Sequence, residues 1–579
     1  MKVKLAKTAG FCMGVHRAMD LVLNEANKGD GPIYTYGPLI HNSQVIDLLK
    51  SKGVIPIEDI REIQGKKGTM VIRAHGIPPG EREILRSSGL RILDATCPRV
   101  ARVQAIIRSH TRKGFTAVIV GDQDHPEVIG LQGYAEGKAH VIGRPEEVAT
   151  LPETEKLLVV AQTTQDAQVY REIQEAVRAR YPKAVIFDTI CDATHNRQQE
   201  VKSFSGHVDC VVVVGGYHSG NTQRLVQVSE GAGLRTFHIE KAEELDRERL
   251  ASMEVVGVTA GASTPNWMIK QVVQEIQGIR SRREARLGPW LRKVFKILMD
   301  SNLVVAFGGY SLSYSAEILM NRDLDFVHPG IAFLYIYAMH VLNRFLDKGA
   351  STYNDPAMAC FYRRYRIPLM FSGILAILGS LAIAIRLGPS VFLIMSGLCV
   401  LGIIYSVPIV PLRRRRLFRY TKIKDIPGSK TLSESLAWAT VISLVPLLEP
   451  SPPDSSKTLV AFFAVFSIVY VRSALFDIFQ AQGDLIVGVE TLPITLGEKR
   501  TLLLLKSVTI IGGLGLLAAP LVGAVGSFSY LLLLCYGTLM MSILAYEKRW
   551  LYPGTSLEAL VEGNFFLAGC LGFLWHHLA

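Results

Sequence analysis

The sequence predicts two folds in one chain: an α/β half over residues 1–280 and an all-helical, membrane-spanning half over 302–579, joined by a basic linker at 281–301. Three observations predict this. Up to about Arg280, short apolar runs alternate with charged helical stretches, the pattern of βαβ units and parallel sheets. From about Asn302 the chain carries long, nearly uncharged apolar segments. Positive charge collects beside those segments, at Arg282, Arg283, Arg286, Arg292, Lys293 and Arg413 to Arg416, so the net charge of +12 reads as membrane orientation and not as a nucleic-acid surface.

In the first half the units come in order as IYTYGPLIHNSQVIDLL, MVIRAHGIPPGEREILR, AVIVGDQDHPEVIGLQGYA and VVVVGGYHSGNTQRLVQV. Each is a strand, a polar loop and a helix start. Parallel sheets bind ligands beyond the carboxyl ends of their strands, where helix N-termini face an anion. The loops place His41, His75, His125, Ser219 and Asn221 there. A lone histidine at such a position is more often a cap than a ligand, but three at equivalent positions suggest a shared pocket for a phosphate-bearing anion. No GxGxxG follows a strand and no GxxxxGK[ST] occurs, which excludes the usual dinucleotide and P-loop sites.

Of eight cysteines, Cys12 (in KLAKTAGFCMGVHRAMDLV), Cys97 (in ILDATCPRVARVQ) and Cys191 (in VIFDTICDATHNRQQEV) each stand where a strand gives way to a helix. Three such thiolates could hold zinc or an iron–sulfur cluster, and spacing alone leaves both open, along with unrelated buried thiols. Cys210 lies inside a strand, and Cys399, Cys535 and Cys570 lie in apolar segments, where a small core side chain suffices.

The second half offers nine candidate spans, at 302–320, 328–346, 368–386, 390–411, 432–449, 458–476, 502–525, 528–546 and 558–576. Alternate connections carry most of the positive charge (Lys348, Arg363, Arg364 and Arg366; Arg413 to Lys430; Lys499, Arg500, Lys548 and Arg549), whereas the others hold mainly Arg322, Arg386 and Lys457. That bias, with no signal segment ahead of the α/β half, places the α/β half in the cytoplasm and the helical half in the inner membrane as a multi-pass domain. Asp477 and Asp484 lie seven residues apart, two turns on one helix face, a spacing that suits Mg²⁺ held against a diphosphate, although ordinary loop carboxylates have it too.

The series GFCMGVHRA, GPLIHNSQV, AHGIPP, DATCPRV, HPEVIG, QTTQ, NRQQEV, SGNTQRL and VTAGASTP resembles the motifs of the 4-hydroxy-3-methylbut-2-enyl diphosphate reductase (LytB) family over about residues 1–278. The resemblance implies three α/β sub-domains around a central cavity, each giving one cysteine to a [4Fe–4S] cluster, here Cys12, Cys97 and Cys191. It implies Glu127 as proton source and Thr163 as the hydroxyl that orients the substrate alcohol. His41, His75, His125, Ser219, Asn221 and Ser263 are the implied diphosphate donors. The reaction implied is removal of an allylic hydroxyl as water with two electrons, which a ferredoxin- or flavodoxin-like protein would supply, since no flavin or NAD signature is present. The chain departs from the family pattern at Gly220, where a serine is usual, and at Asp122 and Asp124, acids beside the expected diphosphate.

The stretch ALFDIFQAQGDLIVGVETLPITLGEKR, with nine spans, resembles the UbiA superfamily of membrane prenyltransferases over about residues 300–579. The implied Mg²⁺ and prenyl diphosphate ligands are Asn343, Asp347, Asp477 and Asp484. Arg344, Ser351 and Gln480 stand where that superfamily has acids, leaving two readings: a transferase, with Arg344 as a substitute cation, or a non-catalytic anchor or lipid-binding domain.

Overall fold

The computed structural model describes residues 1–279, 287–346, 353–407, 422–450, 452–551 and 553–578, in two compact units, Met1–Glu284 and Ala285–Ala579.

The first unit holds three parallel four-stranded sheets. Its strands are β1 (Lys2–Leu5), β2 (Ile33–Tyr36), β3 (Val54–Ile57), β4 (Thr69–Ile72), β5 (Arg91–Asp94) and β6 (Thr116–Val120). They continue as β7 (Ala139–Ile142), β8 (Leu157–Ala161), β9 (Val185–Ile186), β10 (Cys210–Val214), β11 (Thr236–Ile239) and β12 (Val255–Ala260). The sheet orders are β3-β2-β4-β5, β7-β6-β8-β9 and β11-β10-β12-β1. Central strands such as CVVVV (β10) and LLVVA (β8) are buried throughout, because helices cover both sheet faces and leave no solvent side for polar alternation.

Written this way, the three lobes match strand for strand. The last edge strand of each, β5, β9 and β1, runs into a cysteine, and the two middle strands run into the histidine, threonine, serine and asparagine positions. The opposite edge strands β3, β7 and β11 lead into none of these residues.

The second unit is helical. Six helices are long and apolar enough to cross a membrane: Arg366–Leu387, Ser429–Leu448, Ser455–Val487, Glu498–Ala518, Phe528–Glu547 and Ser556–Leu578. The count of nine spans is therefore not matched among the described residues. Leu303–Leu319 and Pro389–Ile404 are apolar helices of 17 and 16 residues, short for ~30 Å of hydrocarbon, and Val327–Leu346 is helical without meeting the apolarity of the six. Glycine lets helices approach closely: a Cβ on Gly308 would lie 2.9 Å from the Phe565 ring, and one on Gly569 would lie 2.7 Å from Ser311. Within the expected linker, Leu287–Asp300 forms a helix.

Candidate functional site

Three of the four cysteines of the first unit cap helices, while Cys210 lies inside β10. Cys12 precedes Met13–Lys28, Cys97 precedes Pro98–Thr111 and Cys191 precedes Asp192–Lys202. Their amides are tied alike, each to a carbonyl at or beside a pocket residue of the neighbouring strand: Cys12 to Ala262, Cys97 to Ala74 and Cys191 to Thr163. Three helix N-termini thus bring their positive ends to the three sulfurs, an arrangement that favours thiolate and any anionic group the thiolates bind. Burial pushes the Cys97 and Cys191 thiols up, and the backbone amides of the following turn pull them back toward the anion.

The thiols suit a group larger than one ion. Four-coordinate zinc with ~2.3 Å bonds needs sulfurs ~3.8 Å apart. Among the described residues, however, the three cysteines are not one of the sets whose ligand atoms all lie within 4.8 Å of one another. Gly14 keeps the space beside them open, since a Cβ there would lie 2.5 Å from Cys97 Sγ and 3.9 Å from Cys12 Sγ. The donor chemistry and this clearance fit a [4Fe–4S] cluster held by three cysteines.

The strand ends of two lobes also bring His41 and His75, from the first, and His125, from the second, together, with ring centroids 4.9, 5.4 and 6.0 Å apart. Burial and the nearby Arg73 guanidinium hold all three imidazoles below their ordinary range, with neighbouring pocket rings adding to this at His75 and His125, the latter at about 4, so they are neutral at pH 7. His125 Nδ1 accepts the Glu127 amide at 3.1 Å, which leaves its Nε2 to carry the proton. His41 Nε2, His75 Nδ1 and Asn221 Nδ2 are buried without a hydrogen-bond partner. Ser263 Oγ lies 3.2 Å from the His41 carbonyl and 3.3 Å from Ser219 Oγ, placing both hydroxyls at the same pocket. Buried polar atoms are normally satisfied, so such a concentration of unpartnered groups marks a place for a ligand.

Glu127, 2% exposed, accepts the Thr163 amide at 2.7 Å and the Thr163 hydroxyl at 2.9 Å. Those bonds lower its pKa, but burial outweighs them and pushes it up to about 7. A carboxylic acid that holds its proton near neutrality is suited to proton donation.

Of the two departures, Asp122 turns outward onto Arg224 at 3.5 Å. Gly220 faces the histidines, and a Cβ there would make ordinary 3.6 Å contacts with the His125 ring, so a side chain would fit. Arg73, which no motif singled out, is a half-buried cation whose charge acts on the imidazoles, and it stacks on Tyr36 at 5.6 Å.

In the helical unit, Asp477 (0% exposed) accepts Lys430 Nζ at 2.7 Å and Thr431 Oγ1 at 2.8 Å, and Asp484 accepts Asn354 Nδ2 at 2.9 Å. Beside them Arg472 bridges Glu434 and Glu562. Asn343 Oδ1 is buried and unpartnered, while Asp347 and Ser351 lie outside the described residues. The cation on Asp477 is Lys430, which the sequence reading counted only as a loop charge. Arg344 instead lies over the Tyr362 ring at 5.5 Å. Each Asp477 oxygen thus carries one donor from the chain itself, and Lys430 already supplies a positive charge to that carboxylate.

Fold and site together define a three-lobed α/β protein with a three-thiol centre beside an anion pocket. A model of the LytB protein family matches residues 3–277. The 4-hydroxy-3-methylbut-2-enyl diphosphate reductase of Geotalea uraniireducens is 45% identical over 279 residues, 48% of this chain and 98% of that protein, and that of Thermoanaerobacter pseudethanolicus is 43% identical over 282 residues, 48% and 98%. Among solved structures, the reductase of Plasmodium falciparum aligns at TM-score 0.46 and 29% identity, covering 47% of this chain and 87% of that one. A UbiA homolog from Archaeoglobus fulgidus, solved with DMAPP and Mg²⁺, aligns at TM-score 0.35 and 16% identity, covering 49% and 99%. Through its first half, the chain belongs to the 4-hydroxy-3-methylbut-2-enyl diphosphate reductase family.

Proposed function

We propose that the α/β half reduces 4-hydroxy-3-methylbut-2-enyl diphosphate to isopentenyl and dimethylallyl diphosphate. Two electrons and two protons enter, the allylic C–O bond breaks and water leaves. The observation that carries this reading is the buried Glu127–Thr163 pair, with its acid poised near pH 7, in the same lobe as His125 of the histidine pocket. A [4Fe–4S] cluster on Cys12, Cys97 and Cys191 would deliver the electrons, received from a ferredoxin- or flavodoxin-like donor.

The chain's own residues do the rest. His41, His75, His125, Ser219, Asn221 and Ser263 present neutral donors to the diphosphate, so the phosphate oxygens gain hydrogen bonds without a competing ion pair to break on release. Arg73 adds a positive field from behind. Thr163 holds the substrate alcohol, and its hydroxyl, 2.9 Å from Glu127, is the path by which the acid's proton reaches the departing oxygen. Placing the polar reaction centre between three sheets excludes bulk water from the reduced allyl group.

For the helical half, the occupied Asp477 favours a membrane-anchoring, lipid-binding domain over a Mg²⁺-dependent prenyltransferase. The loop charges orient it with the reductase half in the cytoplasm, at the inner membrane. The deciding experiment is anaerobic purification of the full chain in detergent, followed by turnover with the hydroxylated C5 diphosphate and a reduced dye. Release of both C5 products supports the assignment. An intact cluster with substrate present and no product overturns it.

A further inference from the structure

A second buried polar cluster lies in the helical unit, at the end away from Asp477. Glu317 stands near the end of helix Leu303–Leu319, and His328 opens helix Val327–Leu346. Asp325 caps that second helix, its Oδ1 accepting the amides of Val327 at 2.7 Å and His328 at 3.0 Å. Glu449 closes the group, six residues before the start of helix Ser455–Val487. Asp477 is 22 residues into that helix, ~33 Å further along the bundle.

The ligand atoms converge. Glu317, Asp325 and His328 each place one within 4.8 Å of the others: His328 Nδ1 is hydrogen-bonded to Asp325 Oδ2 at 2.9 Å, a bond an ion would replace, and lies 3.8 Å from Glu317 Oε1. Ligands ~2.0 Å from a tetrahedral ion are ~3.3 Å apart, so these separations bracket what one ion needs. Glu317 is 0% exposed and His328 3% exposed. The Asp325 amide leans toward Glu317, yet neither carboxyl oxygen is in hydrogen-bond geometry. A fully buried carboxyl group aimed at an imidazole with both oxygens unmet is the independent sign of a missing partner.

The surroundings suit a divalent ion as well. On its other edge, His328 Nε2 lies 2.7 Å from Glu449 Oε1, though off the N–H direction, and Arg322 holds Glu449 Oε2 at 2.6 Å. A carboxylate behind a metal-bound imidazole is the usual outer support of such sites. With all three carboxyl groups ionised, they and one guanidinium around a neutral imidazole sum to a charge of −2, which one divalent cation would cancel as it displaces the protons. The side chain of Asp325 is 32% exposed, giving the ion a way in. One imidazole with carboxylates selects the first-row transition metals over Mg²⁺ or Ca²⁺.

We propose that Glu317, Asp325 and His328 form a binding site for a divalent transition metal such as Zn²⁺, with Glu449 and Arg322 as its outer support. The ion ties the turn between two helices to the end of a third, at the far end of the bundle from Asp477 and Asp484.

The test is equilibrium dialysis of the cluster-loaded full chain in detergent against Zn²⁺ alone, with metal counted per chain. The parent should retain one zinc that Glu317→Gln and His328→Gln lose and Asp477→Asn keeps. Equal zinc in the parent and in both site variants overturns the proposal, as does its loss in Asp477→Asn. Because either site variant could fail to fold, thermal unfolding of the parent is followed with and without Zn²⁺. A rise of several degrees with Zn²⁺, and none with Mg²⁺, is expected, and no rise also overturns it.

Discussion

Glu127 in the α/β half and Asp477 in the helical half are buried carboxylates, 2% and 0% exposed, each central to a polar cluster. Among the described residues, the Glu127 carboxyl is hydrogen-bonded to Thr163 alone, in the lobe that also carries His125. Asp477 has a lysine on one oxygen and a hydroxyl on the other. The first carboxyl group can hold a proton and has a reason to release it. The second is an ion already neutralised by its own chain. Burial alone does not make an acid chemically useful, because what matters is which partner the fold leaves out.

The strongest way to break this contrast is to remove the α/β centre. Cys97→Ser should abolish turnover and the ~400 nm thiolate-to-iron absorption, whereas Cys210→Ser, inside β10, should change neither. An intact absorption band in the Cys97 variant would remove that residue from the ligand set.

Next comes the helical side. Lys430→Met strands a buried carboxylate and should destabilise the helical half by ~3–5 kcal/mol. Adding Asp477→Asn should recover most of that loss in thermal unfolding of the full chain. If the single variant melts with the parent, Lys430 is not what neutralises Asp477. If Mg²⁺ with a prenyl diphosphate restores its stability instead, the transferase reading regains its ground.

For Glu127 the expected loss is at least ~100-fold in turnover for Glu127→Gln, with substrate binding little changed. The sign of the pH effect follows from its raised pKa: the acid is protonated below about 7, so parent turnover should fall as pH rises through that value. The residual rate of the Gln variant should lack that limb, and a shared limb would assign the ionisation elsewhere.

The smallest change sharpens the pocket. Gly220→Ser adds a hydroxyl where the structure has room beside His125. One added hydrogen bond of ~1 kcal/mol should lower KM for the diphosphate about fivefold with kcat unchanged.

Much of the α/β half was legible because its signals are local. A run such as AVIV closing on GDQDHPEV fixes a strand, a turn and a helix start within a dozen residues, and Cys12, Cys97 and Cys191 could be placed at strand–helix junctions that the structure turns into helix caps. Signals that depend on folding at long range stayed hidden. Lys430 reads as one more basic loop residue until helix Ser429–Leu448 lies along helix Ser455–Val487 and sets it on Asp477. Glu317 reads as a blemish in a weak span, and only the turn through Asp325 and the approach of Glu449 give it neighbours. Arg73 sits in no recognisable motif, because its effect on three rings is a matter of distance. Helix lengths also escaped the sequence, since an apolar run does not show where a helix ends.

The pairing of β1 with β12 sets the order in which the chain can be made. Lys2–Leu5 lie in register with Val255–Val258, so the first strand synthesised has no neighbour until some 250 residues have followed it. The lobes built on β2–β5 and β6–β9 can close as they emerge from the ribosome, while the one carrying Cys12 must wait. Its completion at Ala260 comes only 43 residues before Leu303 opens the first apolar helix. The final fold of the reductase half and the arrival of the first apolar helix are thus nearly simultaneous events, and a nascent chain held back before β12 is made would leave β1 and the open edge of β10 unpaired.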